Sequence, residues 1–215
     1  RNWPVEPVGE STPSVGSIFK AQGYDTVHFG KRHDAGALHG FECAEQKELP
    51  APATEAWGCN YDSNQDEYTT KRVLEYLYER HDKPFLCVAD LNNPHNICEW
   101  GRSMPLPWGP IGTPPPPGDC PNLPPNFMPS TFEPEIIRIE QAANWNIYPY
   151  RERPQEDWRR LRWACFRLVE RVDREIGRIL DGLRELGLED DTVVVFSSDH
   201  GDAHGSHQLN QKSIL

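Results

Sequence analysis

The stretch FSSDHGDAHGSHQLNQK, residues 196 to 212, holds two aspartates, three histidines and a closing lysine behind a run of apolar β-formers. Asp199 and His200 offer one hard oxygen donor and one imidazole nitrogen, which suits a divalent cation completed by carboxylates from elsewhere. His200, His204 and His207 raise a second possibility, a zinc helix of the H-x-x-x-H kind. Gly201 and Gly205 weaken such a helix, and the general-base glutamate of H-E-x-x-H is absent. A third possibility is a polar loop that only caps a strand. Two other strand-like runs end in comparable residues: the β-prone DTVHF leads into Gly30-Lys31-Arg32-His33, and the apolar PFLCVADL into Asn92-Asn93-Pro94-His95. Taken singly, a lysine is usually a solvated charge and a histidine a satisfied polar residue. Their shared place behind strand-like runs is what sets these apart.

Positioning them requires alternating helices and strands. Thr12-Pro13 reads as an N-cap with proline at the first helical position, and Gly23 as a stop, so a helix is expected at about 13 to 22. A short strand follows at Asp25 to Phe29. Tyr68 to Arg80 is helical in composition and leads into Pro84 to Leu91, an almost unbroken apolar run of the kind found in parallel strands buried on both faces. From about 158 to 186, Leu161, Cys165, Leu168, Val172, Ile176, Ile179, Leu183 and Leu186 step by threes and fours, predicting a helix whose stripe faces a sheet. Thr192 to Phe196 (TVVVF) then reads as a further buried strand, with Asp199 just past its end. This order predicts an α/β domain with a largely parallel sheet flanked by helices, whose ligands bind beyond the carboxyl ends of the strands. Lys31, His33, His95, Asp199 and His200 are therefore expected in one cleft, with Lys212 arriving from the following loop.

Residues 101 to 157 depart from this pattern. PLPWGPIGTPPPPGDCPNLPPNF is too rich in proline for helix or interior strand, so it reads as a loop insertion, either a surface excursion or a lid. Cys87 and Cys165 sit in apolar runs and read as core residues. Cys43, Cys59, Cys98 and Cys120 lie in loop-like sequence, where disulfides are open to them. A net charge of -11 argues against a binder of the nucleic-acid backbone. No apolar run approaches the roughly 20 residues of a membrane span, and RNWPVEPVGE lacks the features of a signal peptide.

TVVVFSSDHGDAHGSHQLNQK resembles the sulfatase-family segment in which a buried strand ends in S-D-[HN]-G and a lysine follows thirteen positions after the aspartate. VDREIGRILDGL, GYDTVHFGKRH and KPFLCVADLNNPH resemble the same family in the same order. The resemblance implies an alkaline phosphatase-like fold, incomplete in this chain, and hydrolysis of sulfate esters. The nucleophile would be a formylglycine made from cysteine, acting beside a divalent metal, usually calcium. It further implies that Asp199 and His200 ligate the metal, that Lys31 and Lys212 hold the sulfate oxygens, that His33 works near the nucleophile, and that His95 touches the ester and protonates the leaving oxygen. The roles are chemically coherent, because charge moves onto the bridging oxygen as the S–O bond breaks, and cations plus an acid offset it.

The family's C-x-[PA]-x-R nucleophile motif is absent upstream of GKRH. Cys98-Glu-Trp-Gly-Arg102 copies its spacing, but Trp100 stands at the proline or alanine position and the match falls after His95, so it reads as accidental. The paired metal-binding aspartates near the amino terminus are also missing, and Arg32 stands where tryptophan is commonest. Residues 1–215 are accordingly expected to be part of a sulfatase catalytic domain, inactive alone, with Arg1 and Leu215 reading as cuts. The alternatives are a phosphonate or phosphate diester hydrolase of the same superfamily, and a binding relic that has lost the nucleophile.

Overall fold

A computed structural model describes residues 8–32, 36–43, 65–147, 153–210 and 212. The helices are α1 (Val15–Ala21), α2 (Gln65–Tyr78), α3 (Ile97–Gly101), α4 (Glu135–Ile147) and α5 (Gln155–Glu185), and the strands are β1 (Asp25–Gly30), β2 (Glu42–Cys43) and β3 (Phe85–Asp90). They fall into two units, one of Arg1–Asn92 with Arg174–Thr192, the other of Asn93–Asp173 with Val193–Leu215.

The first unit holds a parallel sheet of order β2-β1-β3. Thr26 to Gly30 are all buried, as expected of a central strand covered on both faces. Val27 and Phe29 pack with Val73 and Leu77 of α2 and Leu183 of α5. Helix α1 begins at Ser14, not Thr12: the Ser14 hydroxyl accepts from the Ser17 amide while the Ser17 hydroxyl accepts from the Ser14 amide, both at 2.9 Å, a reciprocal cap that neither Thr12 nor Pro13 supplies.

The second unit is built on the proline-rich segment. Proline has no N–H, so such a stretch lacks donors of its own for many of its carbonyls. Arginines of α5 supply them. Arg159 donates to Gly118 O at 3.0 Å, Pro121 O at 3.2 Å and Cys120 O, while Arg171 donates to Gly109 O at 3.0 Å and Pro110 O at 2.5 Å. Trp158, Leu161, Ala164 and Leu168 of α5 are buried against Ile111, Phe127 and the half-buried Ile97 and Trp100. The segment is not the wholly irregular loop expected over 101–157: Glu135–Ile147 is helical, because the dense prolines end at 129 and none lies within 135–147.

Two expectations are corrected here. The stripe of α5 does not lie against the sheet along its length. At 1.5 Å per residue its 31 residues reach roughly 45 Å, more than twice the length of a six-residue strand. Ile179, Leu183 and Leu186 join the sheet core, whereas Leu161 and Leu168 pack on the proline-rich segment, and Ile176 is only half-buried. Replacing Leu168, which is 0% exposed, with alanine is expected to cost about 3–5 kcal/mol, and Ile176→Ala under about 1.5 kcal/mol, measured by urea denaturation. Similar losses at both positions would contradict this division of the helix.

The second correction concerns TVVVF. Residues 192–198 carry no ladder pairing, and Val193 and Phe196 are 89% and 79% exposed. Apolar β-formers specify an environment, but a strand exists only where a neighbour presents matching N–H and C=O groups. Among the described residues none does so for this run.

Candidate active site

Lys31 is set by the end of β1. Gly30 adopts φ +97, and the Lys31 amide donates to the Asp90 carbonyl at 2.9 Å, tying the start of the post-strand loop to the neighbouring strand. A Cβ at Gly30 would lie 2.0 Å from that carbonyl oxygen, so only glycine permits the approach. Beneath this turn, buried His28 places Nε2 2.8 Å from Asp90 Oδ2, a polar pair across the two strands for which the sequence carries no signal, because no local spacing rule links residues 62 positions apart. At the end of β3 the Asn92 amide donates to the buried Asp66 Oδ1 at 2.5 Å, so the first turn of α2 fixes where the strand stops. His33 lies outside the described residues.

His95 and the remaining candidates belong to the second unit, so the described geometry assigns Lys31 to one unit and His95, Asp199, His200 and Lys212 to the other. His95 is half-buried in the turn after the cis Asn93–Pro94 bond, where its carbonyl accepts from the Cys98 amide at 3.1 Å and starts α3. Cys98 is buried within α3. None of Cys43, Cys87, Cys98, Cys120 and Cys165 is in a disulfide among the described residues. Burial pushes the thiols of Cys87 and Cys165 up to about 12, which leaves them neutral and poorly nucleophilic.

Asp199 and His200 are brought together and are exposed. Asp199 Oδ2 is 3.2 Å from His200 Nε2, its Oδ1 accepts from the His200 amide at 3.0 Å, and His200 Nδ1 lies 2.7 Å from Gly201 O. Lys212 is exposed beyond the following turn.

A hard divalent cation takes six or more oxygen-rich ligands, and the described residues contain no group of three or more His, Cys, Asp or Glu placed to hold one. One carboxylate and one imidazole therefore fit only part of a coordination shell.

The histidines that suggested a zinc helix do not form one. Ser206–Gln208 is a single 3-10 turn, and each ring has a different partner: His200 meets Asp199, His204 Nε2 lies 3.7 Å from Cys165 Sγ, and His207 Nδ1 lies 2.8 Å from Glu133 Oε1. Burial pulls the His204 pKa down, against an opposing pull from Asp202. No spacing rule links Glu133 to His207 across seventy-four residues, so the sequence carried no signal for that pair.

Residues 2–214 match the family described as Sulfatase. A Δ4,5-hexuronate-2-O-sulfatase of Bacteroides thetaiotaomicron is 34% identical over 97% of this chain and 44% of its own length. The iduronate 2-sulfatase of Homo sapiens is 34% identical over 40% of this chain and 16% of its own. Among solved structures, a 2-O GAG sulfatase superposes with a TM-score of 0.74 at 31% identity, covering 97% of this chain and 44% of that one. A phosphonate monoester hydrolase of Agrobacterium radiobacter shares the fold, with a TM-score of 0.62 at 19% identity over 97% of this chain and 51% of that one. The chain thus spans less than half the length of the sulfatases it matches most extensively, and it carries the parallel sheet and flanking helices of the alkaline phosphatase-like fold. A family match along nearly the whole chain, with GKRH, NNPH and SDHG in their expected order, makes this chain a member of the sulfatase family.

Proposed function

We propose that the intact protein hydrolyses sulfate esters, and that its substrates are 2-O-sulfated uronic acids. The observation that carries the reaction is the 34% identity over 97% of this chain to a hexuronate-2-O-sulfatase. The substrate class is supported by two further relatives, a 2-O GAG sulfatase and an iduronate 2-sulfatase, whose descriptions name the same sulfated position or sugar class.

In this reading each residue answers a demand of sulfuryl transfer. Lys31 and Lys212 hold sulfate oxygens and offset their charge, His95 donates a proton to the leaving oxygen as the S–O bond breaks, and His33 works near the nucleophile. Asp199 and His200 contribute two ligands to a divalent cation, calcium in this proposal, with further carboxylates and the formylglycine nucleophile supplied by parts of the intact protein outside these 215 residues. When bound, the cation adds positive charge beside the sulfuryl group. The 215 residues by themselves are expected to be inactive.

Incubating the intact protein with a 2-O-sulfated unsaturated uronide and with matched aryl sulfate and phosphonate esters tests the reading. Release of sulfate from the uronide, with phosphonate turnover at least about a hundredfold lower, is the expected outcome. Faster phosphonate turnover would assign the protein to the other branch of the superfamily. Turnover of none of the three, in an intact protein shown to contain no formylglycine, would favour a binding relic that has lost the nucleophile.

A further inference from the structure

We propose that His207 and Glu133 are positioning residues, fastening the middle of the loop between Asp199-His200 and Lys212 onto the proline-rich segment. This deepens the reading above, on which those three residues act together at a sulfate ester.

The loop is held in an unfavourable backbone shape. His204, His207 and Gln208 have φ of 48°, 53° and 56°, the left-handed region that non-glycine residues enter at a cost. Such a run persists only where its surroundings over-determine it, and here the contacts gather on one residue. The His207 amide donates to Asn126 O at 2.8 Å, its carbonyl accepts from Gln141 Nε2 at 2.7 Å, and its ring meets Glu133 at 2.8 Å. All three partners belong to residues 126–141.

Glu133 is built for this contact. Its side chain is 3% exposed, Oε1 faces His207, and Oε2 accepts from the Ser130 amide at 2.8 Å. A carboxylate so enclosed requires a partner, because removing the partner leaves a desolvated charge. The ring nitrogen and the carboxylate oxygen lie at ion-pair distance. Burial pushes the Glu133 pKa up, but the His207 ring, the Ser130 amide and the positive charges of His207 and Arg138 outweigh it, and the net direction is down.

Elsewhere the loop is anchored without this pair. Arg162 donates to His204 O at 2.8 Å, Leu209 is fully buried, and Gly205 packs against the rings of Phe127 and Trp158. Loss of the pair should therefore loosen the loop without unfolding the unit, which makes the proposal testable by local measurements.

The test uses the intact protein and its Glu133→Gln, His207→Gln and double variants. Amide exchange by mass spectrometry is read over 201–210 and 126–133, together with kcat/KM for the sulfate ester. Each single variant is expected to speed exchange about tenfold in both segments and to lower kcat/KM ten- to a hundredfold, as loss of a supporting contact typically does. The double variant should match the singles within about twofold, because all three lose one contact.

A pH series separates this from generic loosening. A carboxylate whose pKa is lowered by folding contributes stability above the ordinary carboxylate range and loses it as pH falls through the lowered value. Exchange of the native loop, corrected for intrinsic rates, should accelerate on that descent, while the Glu133→Gln protein shows no such step. Arg138 and Glu135, which border the same groove, stay unchanged in all variants.

Faster exchange in 126–133 alone overturns the fastening, and faster exchange in both segments with kcat/KM within twofold of native overturns the positioning. If the native protein turns over no sulfate ester, the functional reading fails. The exchange data then still decide whether the pair fastens the loop.

Discussion

Asp199→Ala in the intact protein is expected to lower sulfate ester hydrolysis by at least about a hundredfold while changing stability by less than about 0.5 kcal/mol. The two halves of this expectation have separate grounds. Asp199 is 80% exposed, and its described contacts are with the adjacent residue, to the His200 amide at 3.0 Å and the His200 ring at 3.2 Å, so little of the fold depends on it. Surface changes of this kind usually stay within half a kilocalorie. An exposed carboxylate beside an exposed imidazole, followed thirteen residues later by a lysine, has a reason to be placed so if it binds a cation near a sulfate group. Losing a charge-stabilising group at a reacting centre costs about 10²–10³ in rate. Sulfate release, urea denaturation and calorimetric calcium titration on native and Asp199→Ala proteins check all parts together. Native turnover and unchanged calcium affinity in the variant would leave 199–203 as a solvated loop.

Gly30→Ala is expected to destabilise the protein by roughly 3 kcal/mol or more, or to prevent folding. Two costs add at one position. The φ of +97° lies where a side chain is strained whatever the space around it, worth about 1–3 kcal/mol. The added Cβ would also meet the Asp90 carbonyl oxygen at 2.0 Å, and that oxygen is held by the Lys31 amide and belongs to the neighbouring strand. Relief requires pulling β1 from β3 at the turn that delivers Lys31. Gly23→Ala is the matched control: its φ is +86°, but nothing lies within 4 Å of the added atom, so only the conformational cost of about 1 kcal/mol should appear. The difference in urea midpoint between the two variants isolates the steric part. Equal midpoints would mean that the strand end yields easily, and that Gly30 is not what fixes the turn.

The comparison of the two glycines also shows where a local reading stops. Both follow patterns that predict a glycine, Gly23 ending a helix and Gly30 following a strand, yet only the parallel pairing of β1 with β3 brings a carbonyl against one of them. The same limit recurs at larger scale. Period and apolarity located β1, β3 and α5 within a few residues, because helix and strand formation depend on side chains three, four or two positions apart. They did not show which partner each face meets. The stripe of α5 looks uniform in sequence, and the fold divides it between a sheet and a proline-rich segment.

By itself the sequence determined the α/β class, the family, and the types and order of the chemical residues, since motifs such as GKRH, NNPH and SDHG are contiguous and need no folding to be read. Only tertiary structure decided that TVVVF stands unpaired among the described residues, that arginines of α5 hold the proline-rich chain by its carbonyls, and that His207 meets Glu133. Each of those facts depends on a partner distant in sequence. A strand, a carbonyl and a buried carboxylate are all defined by the group that satisfies them, and which group that is follows from how the chain returns on itself.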